Sequence, residues 1–304
     1  TAINVFGLSV SLMFVILIGL YYEHETGVDQ QIPDKERVVL VHPAKIENYA
    51  EQSGTSREII PLLRKQLPQI QSACALFSMT NRHVQFAQDD YAKCDMLYVD
   101  STYYDVFGFT LLQGDPHTAL ADEQSVVLEE GMARKLFPQG DAMGKPLTLN
   151  DKYKVFVRGI YRRTENSSIP QDDIVGRYEL LREELPYFFN GIMGNFGGPD
   201  VYLKLNEGTD YKELIPQVNK ILTEAYAHVG MGMEKLTFSL SPVAENYFSD
   251  YSSDVCRRGE PELVMLIAII GLIILAFAVM NYINLPVAQA GRRAKEMATR
   301  RLLG

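Results

Sequence analysis

The side chains that could do chemistry are present in this 304-residue chain, but not in the constellations that chemistry needs. The five histidines, His24, His42, His83, His117 and His228, are scattered, with no HExxH and no paired spacing that would aim two imidazoles at one metal. Acid pairs recur at Asp89–Asp90, Glu129–Glu130, Asp172–Asp173 and Glu183–Glu184, the residue type a glycosidase uses as acid and base. Neighbours on a strand or helix point in different directions, however, so a solvated acidic surface is the expectation. Gly140 to Lys145 reads GDAMGK, close to a phosphate-cradling loop. Its first gap is one residue short and Pro146 stands where Ser or Thr would hold magnesium, so a turn into a strand at Leu147 is expected. No GxSxG elbow occurs. The reading is of no catalytic residue, no metal site and no cofactor.

Cysteine use adds little. Cys74, Cys94 and Cys256 make an odd count, which leaves two outcomes open: a Cys74–Cys94 bridge in an oxidising compartment, or buried thiols behaving as small apolar side chains.

The elements that would position any site begin with two apolar runs. Val5 to Leu20 and Leu263 to Met280 carry no charge, and at about 1.5 Å per residue each approaches the hydrocarbon thickness of a bilayer. Two membrane-spanning helices are expected, with about 240 residues between them on one side. No basic segment precedes the first run and no small-residue cleavage site follows it, which argues against a signal peptide. The chain starts at a Thr, and a cytoplasmic segment ahead of it is expected. Residues 285 to 304 hold five basic side chains against one acid, leaving −13 elsewhere in a chain of net charge −9. Basic flanks stay cytoplasmic, so the intervening domain is placed outside.

Within that domain, hydrophobic period and punctuation predict a strand at Arg37–Val41, a helix from Ser56 to Gln66 stopped before Pro68, and a strand at Ile70–Phe77. The order recurs as a strand at Val201–Leu205, a helix capped by Thr209 or Asp210 and running to His228, and a strand at Leu236–Leu240. Between them lie strand candidates at Val84–Gln88, Asp95–Asp100, Ser125–Glu130 and Lys154–Arg162, and a helix at Gly131–Leu136 ending before Pro138. Thr164–Asp173 and the glycine-rich Asn190–Gly198 read as loops. Two βαβ units with a β-rich insert follow from this order. The last twenty residues place Val287, Ala290, Ala294, Met297 or Ala298, and Leu302 at helical spacing, an amphipathic helix continuing beyond the membrane. It could grip anionic lipid through charge alone, but a seam kept for four turns suits docking on protein.

NYINLPVAQAGRRAKEMATRRLLG, Asn281 to Gly304, closely resembles the end of the second membrane helix in MacB/FtsX-like permeases of ABC transporters, with Pro286 in place of the usual Ser. NVFGLSVSL, YVDSTYYDVFGFTLLQGDPHTAL, SVVLEEGMARKLFPQGDAMGKPLTL, VRGIYRRTENSSIPQDD and SPVAENYF resemble successive pieces of the same family, in order. The resemblance implies an α+β extracytoplasmic domain, a porter-like βαβ pair with an inserted β-rich lobe, flanked by two transmembrane α-helices. The expected segments are 1–24 (first membrane helix), 25–82 and 199–258 (porter-like subdomain), 83–198 (inserted lobe), 259–284 (second membrane helix) and 285–304 (cytoplasmic amphipathic helix).

It further implies a non-catalytic subunit of the bacterial cytoplasmic (inner) membrane, with its large domain in the periplasm, transmitting ATP-driven motion to that domain in efflux or envelope-substrate handling. The implied partners are a cytoplasmic ABC ATPase, a second permease unit as homodimer or fused half, membrane lipid and a periplasmic adaptor, with no nucleic acid. Asn281, Asn284, Arg292, Arg293, Lys295, Glu296, Met297, Arg300 and Arg301 are the expected coupling residues. A two-helix receptor with an external ligand domain shares the topology, but would continue into sustained heptads rather than RRAKEMATRRLLG. An anchored extracytoplasmic enzyme is disfavoured by the empty catalytic inventory.

Overall fold

The computed structural model describes residues 2–44, 54–88, 90–192, 198–228, 236–249, 253 and 255–302; of its two long helices, the side chains at 2–5, 281, 284–296 and 298–302 are outside the description. The chain divides into two compact units, residues 1–28 with 259–304, and residues 29–258.

The first unit is a helix pair. Helix α1 spans Ala2–Thr26 and the last helix of the chain, Pro261–Leu302, runs for 42 residues. Phe6–Thr26 and Pro261–Met280 are long and apolar enough to cross a membrane. The two helices approach closely at Gly271, where an added Cβ would sit 2.9 Å from Ile18 Cγ2. The crevice beside that contact is lined by Leu8, Leu12, Val15, Leu275, Ala278, Val279 and Tyr282.

In the second unit, β1 (Val38–Pro43), α2 (Ile59–Gln66) and β2 (Ile70–Gln85) form one βαβ unit. β8 (Asp200–Leu205), α5 (Tyr211–Ala227) and β9 (Phe238–Pro242) form another. β8 lies antiparallel between β1 and β2, and β1 antiparallel between β8 and β9. Each unit is therefore split by a strand of the other, an interlocked arrangement with strand order β2-β8-β1-β9. VVLV at the start of β1 is an unbroken apolar run because both faces of the sheet are covered. Val39 and Val41 face a core shared with Ile59 and Leu63 of α2 and Val218 and Leu222 of α5, whereas Val38 and Leu40 face Tyr103, Phe107 and Tyr202.

The sequence pattern suggested separate strands at 70–77 and 84–88. They are one 16-residue strand, with an irregularity between Met79 and Arg82 where Asn81 takes φ 55° and donates its N–H to Asp95 Oδ1 at 3.0 Å. This bend lets β2 leave the split sheet and enter a second structure. Its far half pairs with β3 (Tyr91–Val99), followed by β7 (Ile174–Arg177), β4 (Ser125–Glu129), β6 (Tyr153–Tyr161) and β5 (Pro146–Leu149), and β5 pairs back to β2. The ring is a closed six-stranded barrel. Val84, Cys94, Met96, Val126, Leu147, Leu149, Val155 and Val157 belong to the core that fills it. Short α3 (Tyr103–Phe107), α4 (Glu130–Leu136) and α6 (Val243–Asn246) close gaps, and α7 is the long C-terminal helix.

The three cysteines are free thiols. Cys74 faces the Tyr103 side of the sheet and Cys94 the opposite core, so the strand period itself keeps a bridge between them from closing.

Candidate functional site

Among the acid pairs, Glu129, Glu130, Asp172, Asp173 and Glu184 act structurally. Glu129 caps α4 by accepting from Met132 N at 3.0 Å, and Glu130 pairs with Arg134 and Arg162. Asp172 accepts from Ser78 Oγ at 2.6 Å, Asp173 pairs with Arg163, and Glu184 with Arg82. Asp89, Asp250 and Asp254 lie outside the described residues, as do residues 193–197 of the glycine-rich loop. GDAMGK is a turn into β5, with Gly140 and Gly144 at positive φ and the Gly144 N–H donated to Val157 O at 2.8 Å. His42 is buried, its Nε2 2.8 Å from Ser241 Oγ, and His117 meets Asp105 on the surface. Among the described residues no group of His, Cys, Asp and Glu could hold a metal.

Two other clusters stand out, neither anticipated from the sequence. The first joins the split sheet to the barrel. Arg57, in the turn before α2, donates Nε and Nη2 to Asp100 Oδ1 at 2.8 and 2.5 Å and Nη2 to Glu179 Oε1 at 2.8 Å, above the Tyr178 ring. Asp100 follows β3 and its other oxygen accepts from Ala75 N at 2.9 Å. Glu179 follows β7 and also takes Arg177 Nε at 3.0 Å, while Arg177 Nη1 donates to Leu120 O at 2.8 Å. Burial alone would raise Glu179, but the Arg57 and Arg177 charges outweigh it and hold its carboxyl below the usual range.

The second cluster ties together the two ends of the domain. Asp29, its first residue, is 1% exposed and accepts from Ser168 N at 2.7 Å, Ser168 Oγ at 2.5 Å and Ser167 Oγ at 3.1 Å. Arg257, next to its last residue, donates its N–H to Ser168 O at 2.9 Å and Nη2 to Asn166 Oδ1 at 3.1 Å. Ser253 donates to Asp200 Oδ2 at 2.6 Å, and Cys256 Sγ lies 3.2 Å from Tyr202 OH. Loop 164–173, expected only as loop, is thus the clasp that holds both chain ends to the sheet. Desolvation raises the Asp29 carboxyl in spite of its three donors.

Of the expected coupling residues, Met297 is exposed on α7. The side chains of Asn281, Asn284, Arg292, Arg293, Lys295, Glu296, Arg300 and Arg301 lie outside the described residues; the helix backbone carries them without a break past Pro286 to Leu302.

A folded α+β domain is thus clasped at its two ends, and each end continues into an apolar helix long enough to cross a membrane. The model of the MacB-like periplasmic core domain matches residues 1–221, and the chain belongs to that family, whose setting is the ABC-type permease. Among solved structures, a domain assigned to a permease of Porphyromonas gingivalis has 19% identity, covers 79% of this chain and 99% of that one, and superposes with TM-score 0.57, the same fold. The periplasmic region of MacB from Actinobacillus actinomycetemcomitans gives 15% identity, 72% and 96% coverage and TM-score 0.49. The extracellular domain of the noncanonic ABC-type transporter YknZ from Gram-positive bacteria gives 13%, 67% and 99%, and 0.44. No curated protein matches the chain.

Proposed function

We propose that this chain is a non-catalytic permease unit that carries ATP-driven motion across a bacterial inner membrane to the domain 29–258, where envelope substrate is handled or expelled. The observation that carries this reading is α7. One helix of 42 residues, about 63 Å long, includes both the apolar span and the basic extension. Leu263 to Met280 offers no polar side chain, whereas a helix lining a transport path would be expected to present some. The all-apolar crevice between α1 and α7 supports a strut in the same way.

In this reading residues 25–82 and 199–258 form the porter-like subdomain and 83–198 the inserted lobe, with β2 crossing between them. Arg292, Arg293, Lys295, Glu296, Arg300 and Arg301 orient the extension 285–304 against a cytoplasmic ABC ATPase and anionic lipid; Asn281, Asn284 and Met297 complete the coupling surface. A second permease unit and a periplasmic adaptor complete the assembly. The clasp at Asp29, Ser168 and Arg257 is where motion of the helices would reach the domain.

The test is Ala294→Pro in the full-length protein. Proline breaks the helix interior, so ATP hydrolysis by the co-purified ATPase should persist while substrate handling falls tenfold or more. Unchanged substrate handling, or no co-purifying ATPase with the wild type, overturns the reading.

A further inference from the structure

One side chain beside the clasp is left unexplained by the contacts around it. Asn246 is the last residue of α6, where the chain turns back toward α7. Its carbonyl oxygen accepts from Ser249 N at 3.1 Å and from Ser249 Oγ at 2.7 Å. Its side-chain amide is different: Nδ2 and Oδ1 are both buried, and neither has a hydrogen-bond partner among the described residues. A buried amide in that condition forfeits the hydrogen bonds it makes in water, and native proteins seldom leave one so.

Asn246 lines a cavity of about 20 Å³ whose wall includes Ser168 and Arg257 of the clasp, together with Tyr202, Ser249, Ser253 and Arg258. The serines of the wall have no proton to spare. Ser168 Oγ donates to Asp29 Oδ2, Ser249 Oγ to the Asn246 carbonyl and Ser253 Oγ to Asp200 Oδ2. Ser253 Oγ also accepts from Val255 N at 3.0 Å and Cys256 N at 2.8 Å, which fills its lone pairs. Ser168 and Ser249 retain lone pairs and can only accept.

We propose that this cavity is the binding site of one ordered water, held by the Asn246 amide and joining the end of α6 to the clasp. Size and chemistry select the same occupant. A water needs roughly 10–15 Å³ of such space, so the cavity admits one and excludes an organic ligand. Arg257 and Arg258 in the wall oppose a metal ion, and among the described residues no group of His, Cys, Asp and Glu could hold one. Chloride could accept from Nδ2 but would leave Oδ1 without a donor. Water donates and accepts at once, so it meets whichever end of the amide faces the cavity and still donates onward to Ser168 or Ser249. The return segment 249–258 is then tied to α6 partly through solvent.

Hydroxyl-radical footprinting of the full-length protein in detergent tests the site, because radicals made from water by a brief X-ray pulse oxidise a buried ring where a bound water touches it. Tyr202 is 1% exposed and lines the cavity; Phe107 is 0% exposed, packs 5.2 Å from the Tyr202 ring and does not line it. After correction for intrinsic ring reactivity, Tyr202 should be oxidised at least threefold faster than Phe107, whereas opening of the core would label both. Asn246→Leu puts a branched apolar side chain in place of the amide and should lower Tyr202 oxidation at least threefold while leaving Phe107 unchanged, with circular dichroism checking the fold. Equal labelling of the two rings, or undiminished Tyr202 labelling in folded Asn246→Leu, overturns the proposal. Should Asn246→Leu not fold, the wild-type comparison alone decides. Ala294 lies outside the domain, so its replacement tests the transport reading and leaves this one untouched.

Discussion

Arg57 and Asp100 are joined by two hydrogen bonds that converge on one carboxylate oxygen, while the other oxygen of Asp100 holds the Ala75 amide. A single guanidinium thus fastens the start of α2 to the ends of β3 and β7, and hence the split sheet to the barrel. Its side chain is 21% exposed and that of Asp100 14%, where an ion pair is costly to break because the surviving charge stays buried.

Arg57→Ala should therefore destabilise the domain by about 3–5 kcal/mol. Removing Arg162, whose pair with Glu130 is on the surface and screened by solvent, should cost far less. Denaturant melts of the two variants, followed by tyrosine fluorescence, compare them directly; equal losses would show that the joint is held by packing instead.

Acid should loosen the same joint. Glu179 has a folded-state pKa below its ordinary 4.5, so it binds fewer protons folded than unfolded between those two values. Its contribution is complete above about pH 4.5 and is lost as pH falls through the folded value. Thermal melts from pH 6 to pH 3 should fall less steeply for Glu179→Gln than for wild type; parallel curves would remove Glu179 from the account.

Gly114 is a backbone-limited position. It adopts φ +95°, and a Cβ there would lie 2.5 Å from the carbonyl oxygen of Arg158, a backbone atom that cannot swing away. Gly114→Ala should lower the melting temperature by several degrees, corresponding to about 1–3 kcal/mol of strain. Gly140→Ala is the control, with the same sign of φ but open space around the new methyl; its smaller loss isolates the clash from the φ penalty.

The thiols should be slow to react. Burial pushes Cys94 up to about 12 and raises Cys74 and Cys256 well above their usual values. Iodoacetamide at pH 8 should leave the native protein unmodified and add three groups after denaturation without reductant. Only one group added under those conditions would mean that two of the sulfurs are bridged.

The sequence carried the elements whose signal is local. β1, β8 and α5 fall within a residue or two of expectation because apolar runs and a side-chain cap mark them: Asp210 accepts from Lys212 N at the start of α5. The helix before Pro68 was expected from Ser56 but starts at Ile59, because residues 56–58 form a turn that presents Arg57 to Asp100. β7 was hidden: Ile174–Arg177 is four residues following a polar loop, and only its partners β3 and β4 make it a strand. Barrel closure is invisible for the same reason, since the pairing of β5 with β2 joins residues some 65 apart through two registered pairs. The clasp could have been suspected from Asn166, Ser167 and Ser168, good acceptors and donors in a loop, but nothing local named Asp29 as their partner. Conversely, acid pairs read as a solvated surface turn out to hold structural partners at Glu129, Glu130, Asp172, Asp173 and Glu184.

Strand β2 belongs to both halves of the domain, pairing with β8 through Leu76 and with β3 and β5 toward Gln85. One residue inserted near Ser78 would exchange inside for outside over the whole downstream stretch, burying His83 and Gln85 and expelling Val84. A change of length within this strand should therefore cost far more than one in the turns on either side, and the strand itself would carry a torque on the split sheet into the barrel.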